Sequence, residues 1–301
     1  MLDRSPGPWK RLAPFETIRP RRGVGDSVAP ARFKFRTADV DYRDVSTALI
    51  SPHHLRASPG DLMAIARYWE WERTIANVLP RVLSEDDISV LFQPIYRLHQ
   101  GQPVARGFEA LARFPVAPLI PVGLWFRTAS DLMMLKELEL AAIRAAFAAA
   151  VRLSEDAFFC VNASLVTVPD LIGIIPETLR HRLLIDLPYV SVDDRRAEDL
   201  FHALRQGGAG IAIDDVPLDD LHALRPTLLR LRPDCIKVDV LTGLADSQMA
   251  RFNLAEGSAW CQQAGISLIA ERVERMSDLS VLSSVGVEWA QGYSLSRPVD
   301  L

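Results

Sequence analysis

Polar residues recur along the chain where short β-rich runs end: Glu109, Asn162, Asp186, the pair Asp214-Asp215, Lys237 with Asp239, Glu271 and Gln291. Successive lead positions are 53, 24, 28, 23, 34 and 20 residues apart, close to the length of one or two strand-plus-helix units. A single acid at a strand end is ordinarily a helix N-cap or an ion-pair partner. Recurrence on five strands is better explained by one shared site. Carboxylate and amide oxygens without His or Cys partners suit hard octahedral cations, so Mg²⁺ or Mn²⁺ is expected in preference to zinc. Two such ions bridged by one carboxylate can activate water and stabilise both oxygens of an in-line phosphoryl displacement, and Asp214 is the natural bridge. Lys237 among the acids points to an anionic substrate or nucleophile. Neighbours on a strand face opposite ways, so Asp215 is expected to lie just beyond its strand to join the site.

The elements that must position these residues alternate. Strands are expected at 88–97, 104–112, 157–163, 182–187, 210–214, 234–239, 266–271 and 287–290, and helices at 131–152, 166–180, 195–207, 218–231, 247–264 and 276–285. Asp61 reads as the N-cap of an earlier helix running to Leu83, in which Trp69 and Trp71 are expected to pack rather than bind a ligand. Eight strands separated by helices predict an α/β fold, a TIM-like (βα)8 barrel, whose chemistry sits at the carboxyl ends of the strands. A doubly wound open sheet would carry a Gly-rich phosphate loop after its first strand. The nearest stretch, Gly207-Gly208-Ala209-Gly210, precedes a strand and reads as a helix C-cap and turn.

Composition narrows the function classes. The net charge of −4 over 301 residues offers no bulk attraction to polyanions, so DNA is not an expected partner. Cys160, Cys235 and Cys261 are odd in number and set among apolar residues, which fits reduced thiols better than disulfides or zinc. With no long uncharged apolar window and no signal-peptide core, the expectation is a cytoplasmic protein without a transmembrane segment. Residues 1–36 hold nine Lys/Arg against three acids, and residues 37–60 are loop-like, with His53-His54 read as surface residues. The division expected is a basic arm and loop over 1–60, a helical lead-in over 61–83, and the barrel over 84–301.

Taken together, Phe92-Gln93-Pro94-Ile95, Phe108-Glu109-Ala110-Leu111-Ala112-Arg113-Phe114, Val161-Asn162-Ala163-Ser164, Ile213-Asp214-Asp215, Ile236-Lys237-Val238-Asp239, Ala270-Glu271-Arg272-Val273-Glu274 and Gln291-Gly292-Tyr293 with Arg297-Pro298 resemble the EAL-domain cyclic di-GMP phosphodiesterases. The resemblance implies an EAL-type barrel whose first strand runs antiparallel, binding the bacterial messenger cyclic di-GMP and, in active members, hydrolysing it to pGpG. It implies that Glu109, Asn162, Asp186 and Asp214 ligate one ion and that Asp214 with Asp215 ligates a second. Lys237 would hold the attacking water, Glu271 would assist as base or outer ligand, and Gln291 would complete the shell. Gln93 and Arg113 would approach the substrate, and Pro298 would lie against a guanine. A homodimer is implied as well, and a protein partner is not identified by the sequence.

The chain departs from the family pattern in three places. Asp186 stands where a glutamate is usual, shortening the side chain by one methylene, and Tyr189 replaces a second glutamate. Val216-Pro217-Leu218-Asp219 replaces a glycine-bearing loop after the Asp pair. Arg272 replaces a glycine, leaving its long cation either to pair with Glu271 or to point into solvent. These changes make three functions worth separating: a weak phosphodiesterase, a cyclic di-GMP receptor, and a protein-interaction module on the same scaffold. Residues 1–60, which supply no strand-end residue, are expected to be dispensable for binding.

Overall fold

The computed structural model describes residues 59–99, 102–240 and 244–301. The basic arm and the pair His53-His54 lie outside the described residues. In chain order the elements are α1 (Pro59–Glu85), β1 (Ser89–His99), β2 (Gln102–Arg113), α2 (Val122–Asp131), α3 (Leu135–Ala149), β3 (Phe158–Asn162), α4 (Val168–Ile174), β4 (Leu183–Pro188), α5 (Ala197–Gln206), β5 (Gly210–Pro217), α6 (Leu221–Leu231), β6 (Cys235–Asp239), α7 (Gln248–Ala264), β7 (Ser267–Glu271), α8 (Met276–Ser284) and β8 (Trp289–Ala290). Short 3-10 turns join several of them. No helix among the described residues is long and apolar enough to cross a membrane.

The described chain falls into two compact units, residues 90–111 with 146–301 and residues 59–89 with 112–145. In the smaller unit, Ile75, Leu79 and Val82 of α1 are fully buried in a cluster with Leu124, Trp125 and Leu138, and Phe114 stacks on Trp125 at 4.2 Å. Trp71 packs at the edge of this cluster, whereas Trp69 is 56% exposed. The expectation that both tryptophans pack is therefore corrected for Trp69, which points off the apolar stripe. Asp61 lies inside α1, which begins at Pro59, and is not its N-cap. Helix α2 stands where the sequence reading placed none. Pro115, Pro118 and Pro121 punctuate the approach to it, yet Pro121 sits at the N-cap, where a missing N–H costs nothing, and Leu124, Trp125, Thr128 and Ala129 form a buried face.

The larger unit is a closed eight-stranded barrel in the order β1 to β8. Strands β2 to β8 are parallel neighbours in sequence order, and β1 pairs antiparallel with β8, Tyr96 opposite Ala290. The open-sheet alternative is thereby excluded. Closure needs only a two-residue β8, because the chain beyond it turns back and Val299 pairs with Phe92 of β1.

Inside the barrel the period-2 alternation stacks two layers. Cys160, Leu184, Ala212, Cys235, Ile269 and Trp289, with Ile95 and Phe158, form a buried apolar floor. Two positions further along the same strands stand Asn162, Asp186, Asp214, Lys237 and Glu271, with Gln291 immediately after β8. On β2 the residue two before Glu109 is Gly107, and a Cβ there would lie 2.2 Å from the Phe158 ring. Glycine at 107 makes room for the Phe158 ring in the floor beneath the acid of its own strand. The Gly207-Gly208 stretch ends α5 and turns into β5, Gly208 at φ 88, as its sequence suggested.

Candidate metal centre at the barrel mouth

Lys237 is the hub of the upper layer. Its side chain is fully buried, and Nζ lies 2.8 Å from Asp186 Oδ2, 2.9 Å from Glu271 Oε1, 3.3 Å from Glu109 Oε2 and 3.5 Å from Asp214 Oδ1. Glu109 also accepts hydrogen bonds from Asn162 Nδ2 at 2.9 Å and from Gln291 Nε2 at 2.7 Å. Strands β2, β3, β4, β5, β6 and β7 and the segment after β8 thus each contribute one side chain. Gln291 is fixed by its own backbone, which donates to Ala270 and accepts from Val273. The adjoining Gly292 is required for that approach, because a Cβ would lie 2.3 Å from the Val273 backbone.

Asp215 lies close enough to feel the charges of Asp214, Lys237 and Glu109, but not by the route expected. It lies within β5, not beyond it. The ladder between β5 and β6 shifts between Ile213–Ile236 and Val216–Val238, so Asp214 and Asp215 together oppose Lys237 alone. Such a bulge, with Asp215 left-handed at φ 56, breaks the strict alternation of faces. A left-handed non-glycine residue costs about 1–2 kcal/mol, and Asp is among the residues that bear it best. The strand expected at 210–214 consequently runs on to Pro217, with Val216 fully buried.

One lysine does not balance five carboxylates. Burial pushes Asp186 up to about 7, and Asp214 and Glu109 add to the shift against the opposing pull of Lys237. Asp215 also rises to about 7, from burial and then from Asp214. Burial and Asp214 hold Glu271 well above the usual carboxylate range. Only Glu109 goes the other way. Burial acts against its ionisation, but Lys237 and the bonds from Asn162 and Gln291 outweigh it. Lys237 stays firmly protonated despite its burial, because Asp186, Asp214, Glu109 and Glu271 surround it.

The surplus of negative charge is accompanied by unused acceptors. Both carboxylate oxygens of Asp186 and Oδ1 of Asp214 are buried without an aligned hydrogen bond, their approach to Lys237 being close in distance only. Oxygens of Glu109, Asp186 and Asp214 lie within 4.8 Å of one another. Buried carboxylates without hydrogen-bond donors are costly unless a cation takes their place. An all-oxygen donor set of this kind fits a hard divalent ion. Asp186, despite losing a methylene relative to glutamate, still reaches the cluster.

Other expected residues fall as follows. Gln93 is buried and donates Nε2 to the Ser296 carbonyl at 3.2 Å, next to the segment that carries Pro298. Arg113 ends β2, groups with the smaller unit, and donates Nη1 to the Ala112 carbonyl. Tyr189 opens the 3-10 turn after β4. Of the two courses expected of it, Arg272 takes the one away from Glu271, its side chain exposed and paired with Asp239. It is left-handed at φ 58, and its Nη1 lies 2.8 Å from Asp239 Oδ2, while Glu271 keeps Lys237. No role was assigned to Asp239 from sequence. Its position at the end of β6, beside Glu271 in the ladder, was the available signal.

The family model described as EAL domain matches residues 76–298. The cyclic di-GMP phosphodiesterase PdeB of Shewanella oneidensis is 23% identical over 241 residues, which is 74% of this chain and 28% of the length of that relative. The EAL domain of FimX from Xanthomonas citri, solved in complex with c-di-GMP, superimposes with a TM-score of 0.67 at 20% identity, covering 78% of this chain and 97% of that one. BlrP1 of Klebsiella pneumoniae, in a calcium and c-di-GMP complex, gives a TM-score of 0.60 at 27% identity over 71% of this chain and 56% of that one.

Proposed function

Because the chain belongs to the EAL-domain family, we propose that its barrel mouth binds cyclic di-GMP and hydrolyses one of its phosphodiesters to give pGpG. The observation that carries this reading is the convergence of Glu109, Asp186 and Asp214 oxygens beside Lys237, with those of Asp186 and Oδ1 of Asp214 buried and short of hydrogen-bond donors. Glu109, Asn162, Asp186 and Asp214 would hold one Mg²⁺ or Mn²⁺, and Asp214 with Asp215 a second. When bound there, the ions supply charge neutralisation and an activated water for in-line phosphoryl displacement.

The chain's own residues do the rest. Lys237 draws four carboxylates of different strands toward one point and keeps a positive charge there in a dry setting. Glu271, readily protonated and next to Lys237, is placed to take a proton at a carboxylate oxygen. Asn162 and Gln291 fix both oxygens of Glu109 and so its orientation. Gln93 and Arg113 are the residues proposed to meet the nucleotide, with Pro298 against a guanine.

A second reading, a cyclic di-GMP receptor without turnover, is favoured by one feature. The residues after the Asp pair are locked into β5, Val216 and Pro217 in register with Val238 and Asp239, where the family pattern has a glycine-bearing loop. One experiment separates the two. The chain is incubated with cyclic di-GMP and Mn²⁺ beside a Glu109→Ala control, and pGpG is quantified. Product formed by the parent chain and lost in the variant is the expected result. Tight binding without product assigns the receptor role, and absence of binding removes both readings.

A further inference from the structure

Among the described residues of the larger unit, Asp215, Arg232 and Arg272 are the non-glycine residues with left-handed backbone. Arg232 caps the carboxyl end of α6, an ordinary place for that conformation. Asp215 and Arg272 instead border the acid cluster, and Asp215 is explained by the bulge that brings it in. Arg272 is not explained by the cluster, because it touches none of the candidate ligands. Glycine would occupy the same backbone without strain, and the ion pair of Arg272 with Asp239 is too exposed on the arginine side to be a strong stabiliser. Strain kept without a structural return points to function.

We infer that Arg272 is a substrate-contacting residue, whose guanidinium, held at the rim by Asp239, hydrogen-bonds a phosphodiester oxygen of the bound cyclic dinucleotide. The inference rests on the function proposed above. Three observations carry it. Asp239 and Glu271 are register partners at the ends of β6 and β7, so the residue after Glu271 stands directly at the edge of the mouth. The Asp239 side chain is 18% exposed and meets Nη1 at 2.8 Å, whereas the Arg272 side chain is 43% exposed. A guanidinium presents five donors in a planar fork, so one edge can stay on Asp239 while another takes an anion.

The chemistry of the ligand supplies a further argument. A cyclic dinucleotide brings two phosphodiester charges to a mouth already rich in carboxylates. Lys237 is wholly buried and shared among four acids, so it cannot extend to the phosphate that the metal centre does not hold. Arg272 places a fixed cation at the rim, and its pairing with Asp239 removes the reorganisation that a free arginine would undergo on binding.

Calorimetric titration of the full chain with cyclic di-GMP in Ca²⁺, alongside thermal melting, tests the contact on Arg272→Gly and Arg272→Lys. Loss of one charge-assisted bond is expected to weaken affinity by about tenfold or more in the glycine variant. Its melting temperature should stay equal or rise, because the left-handed strain is relieved, and the lysine variant should fall between the two in affinity. A glycine variant that binds as tightly as the parent overturns the contact. So does one that loses melting temperature together with affinity, which would make Arg272 a structural residue. A parent chain that binds no cyclic di-GMP overturns the functional reading itself and this contact with it, an outcome told apart by the parent titration alone.

Discussion

Five strands of the barrel, β3 to β7, carry a floor residue and a mouth residue two positions apart, and the two layers are stable for opposite reasons. In the floor, Cys160, Leu184, Ala212, Cys235, Ile269 and Trp289 bury apolar surface with Phe158 edge-on to Trp289 at 5.6 Å. Every contact there is non-directional and favours the folded state. In the mouth, Glu109, Asp186, Asp214 and Glu271 surround one lysine, and burial raises the pKa of Asp186, Glu271 and the neighbouring Asp215. A fold whose floor is satisfied by itself can carry a mouth whose buried carboxylates are not. That division lets the site be poised for binding without endangering the barrel.

The largest expected break in the comparison is Lys237→Met. Removing one partner of a buried ion cluster leaves the others uncompensated, at a cost of about 3–5 kcal/mol. Urea unfolding of the metal-free variant should show that loss. Divalent ions should restore part of it, because they neutralise the same oxygens. A variant as stable as the parent would mean that the carboxylates are protonated and that Lys237 is not the hub the geometry describes.

Next in size is the effect of the cation itself. Mn²⁺ at a hundredfold excess over its Kd should stabilise the chain by about 2.7 kcal/mol, since the site exists only in the folded state. The thermal shift should vanish in Asp214→Asn, whose oxygen is central to the Glu109–Asp186–Asp214 group. It should persist in a floor variant such as Ile269→Val. Equal shifts in both variants would place the ion elsewhere.

Gly107→Ala probes the floor in the same way. The new methyl would meet the Phe158 ring at 2.2 Å, and overpacking of this kind costs about 1–3 kcal/mol. Phe158→Leu in the same chain should recover part of that loss, with the remainder reflecting the broken contact to Trp289. Metal binding should fall less than stability, because Glu109 stays tied to Asn162 and Gln291.

The two layers also differ in how far they could be read from sequence. The mouth was legible because each strand announces its end with a polar residue after an apolar run, and period-2 alternation places those residues on one face. Its exceptions were not. Nothing in Ile213-Asp214-Asp215 marks a bulge, since Asp tolerates both extended and left-handed backbone, and the register shift is decided by pairing with β6. Arg272 was recognisable as a cation beside Glu271, but its partner Asp239 lies 33 residues away on another strand. The floor was legible only as hydrophobicity. That Gly107 faces Phe158 follows from the register of β2 on β3. Helix α2 was hidden by prolines that punctuate its approach without entering its hydrogen-bonded turns.

The smallest effect expected concerns the thiols, and it sharpens the contrast by asking whether the floor opens. Cys160 and Cys235 belong to the floor, where burial and then the charge of Asp186 hold both well above the ordinary thiol range. Cys261, on α7, is pushed up to about 12, chiefly by burial. At pH 8 all three are therefore protonated as well as enclosed, and the thiolate, not the thiol, reacts. A chromogenic disulfide reagent should label none of them in the native chain and all three in denaturant. Raising the pH from 7 to 9 should barely change the native rate, because the folded-state pKa values lie above that window and the thiolate fraction stays small. Saturating the mouth with Mn²⁺ should slow labelling only as far as it slows global unfolding. Labelling of Cys160 or Cys235 faster than unfolding would show that the floor breathes on its own, and the mouth above it would then lack the rigid support on which its carboxylates depend.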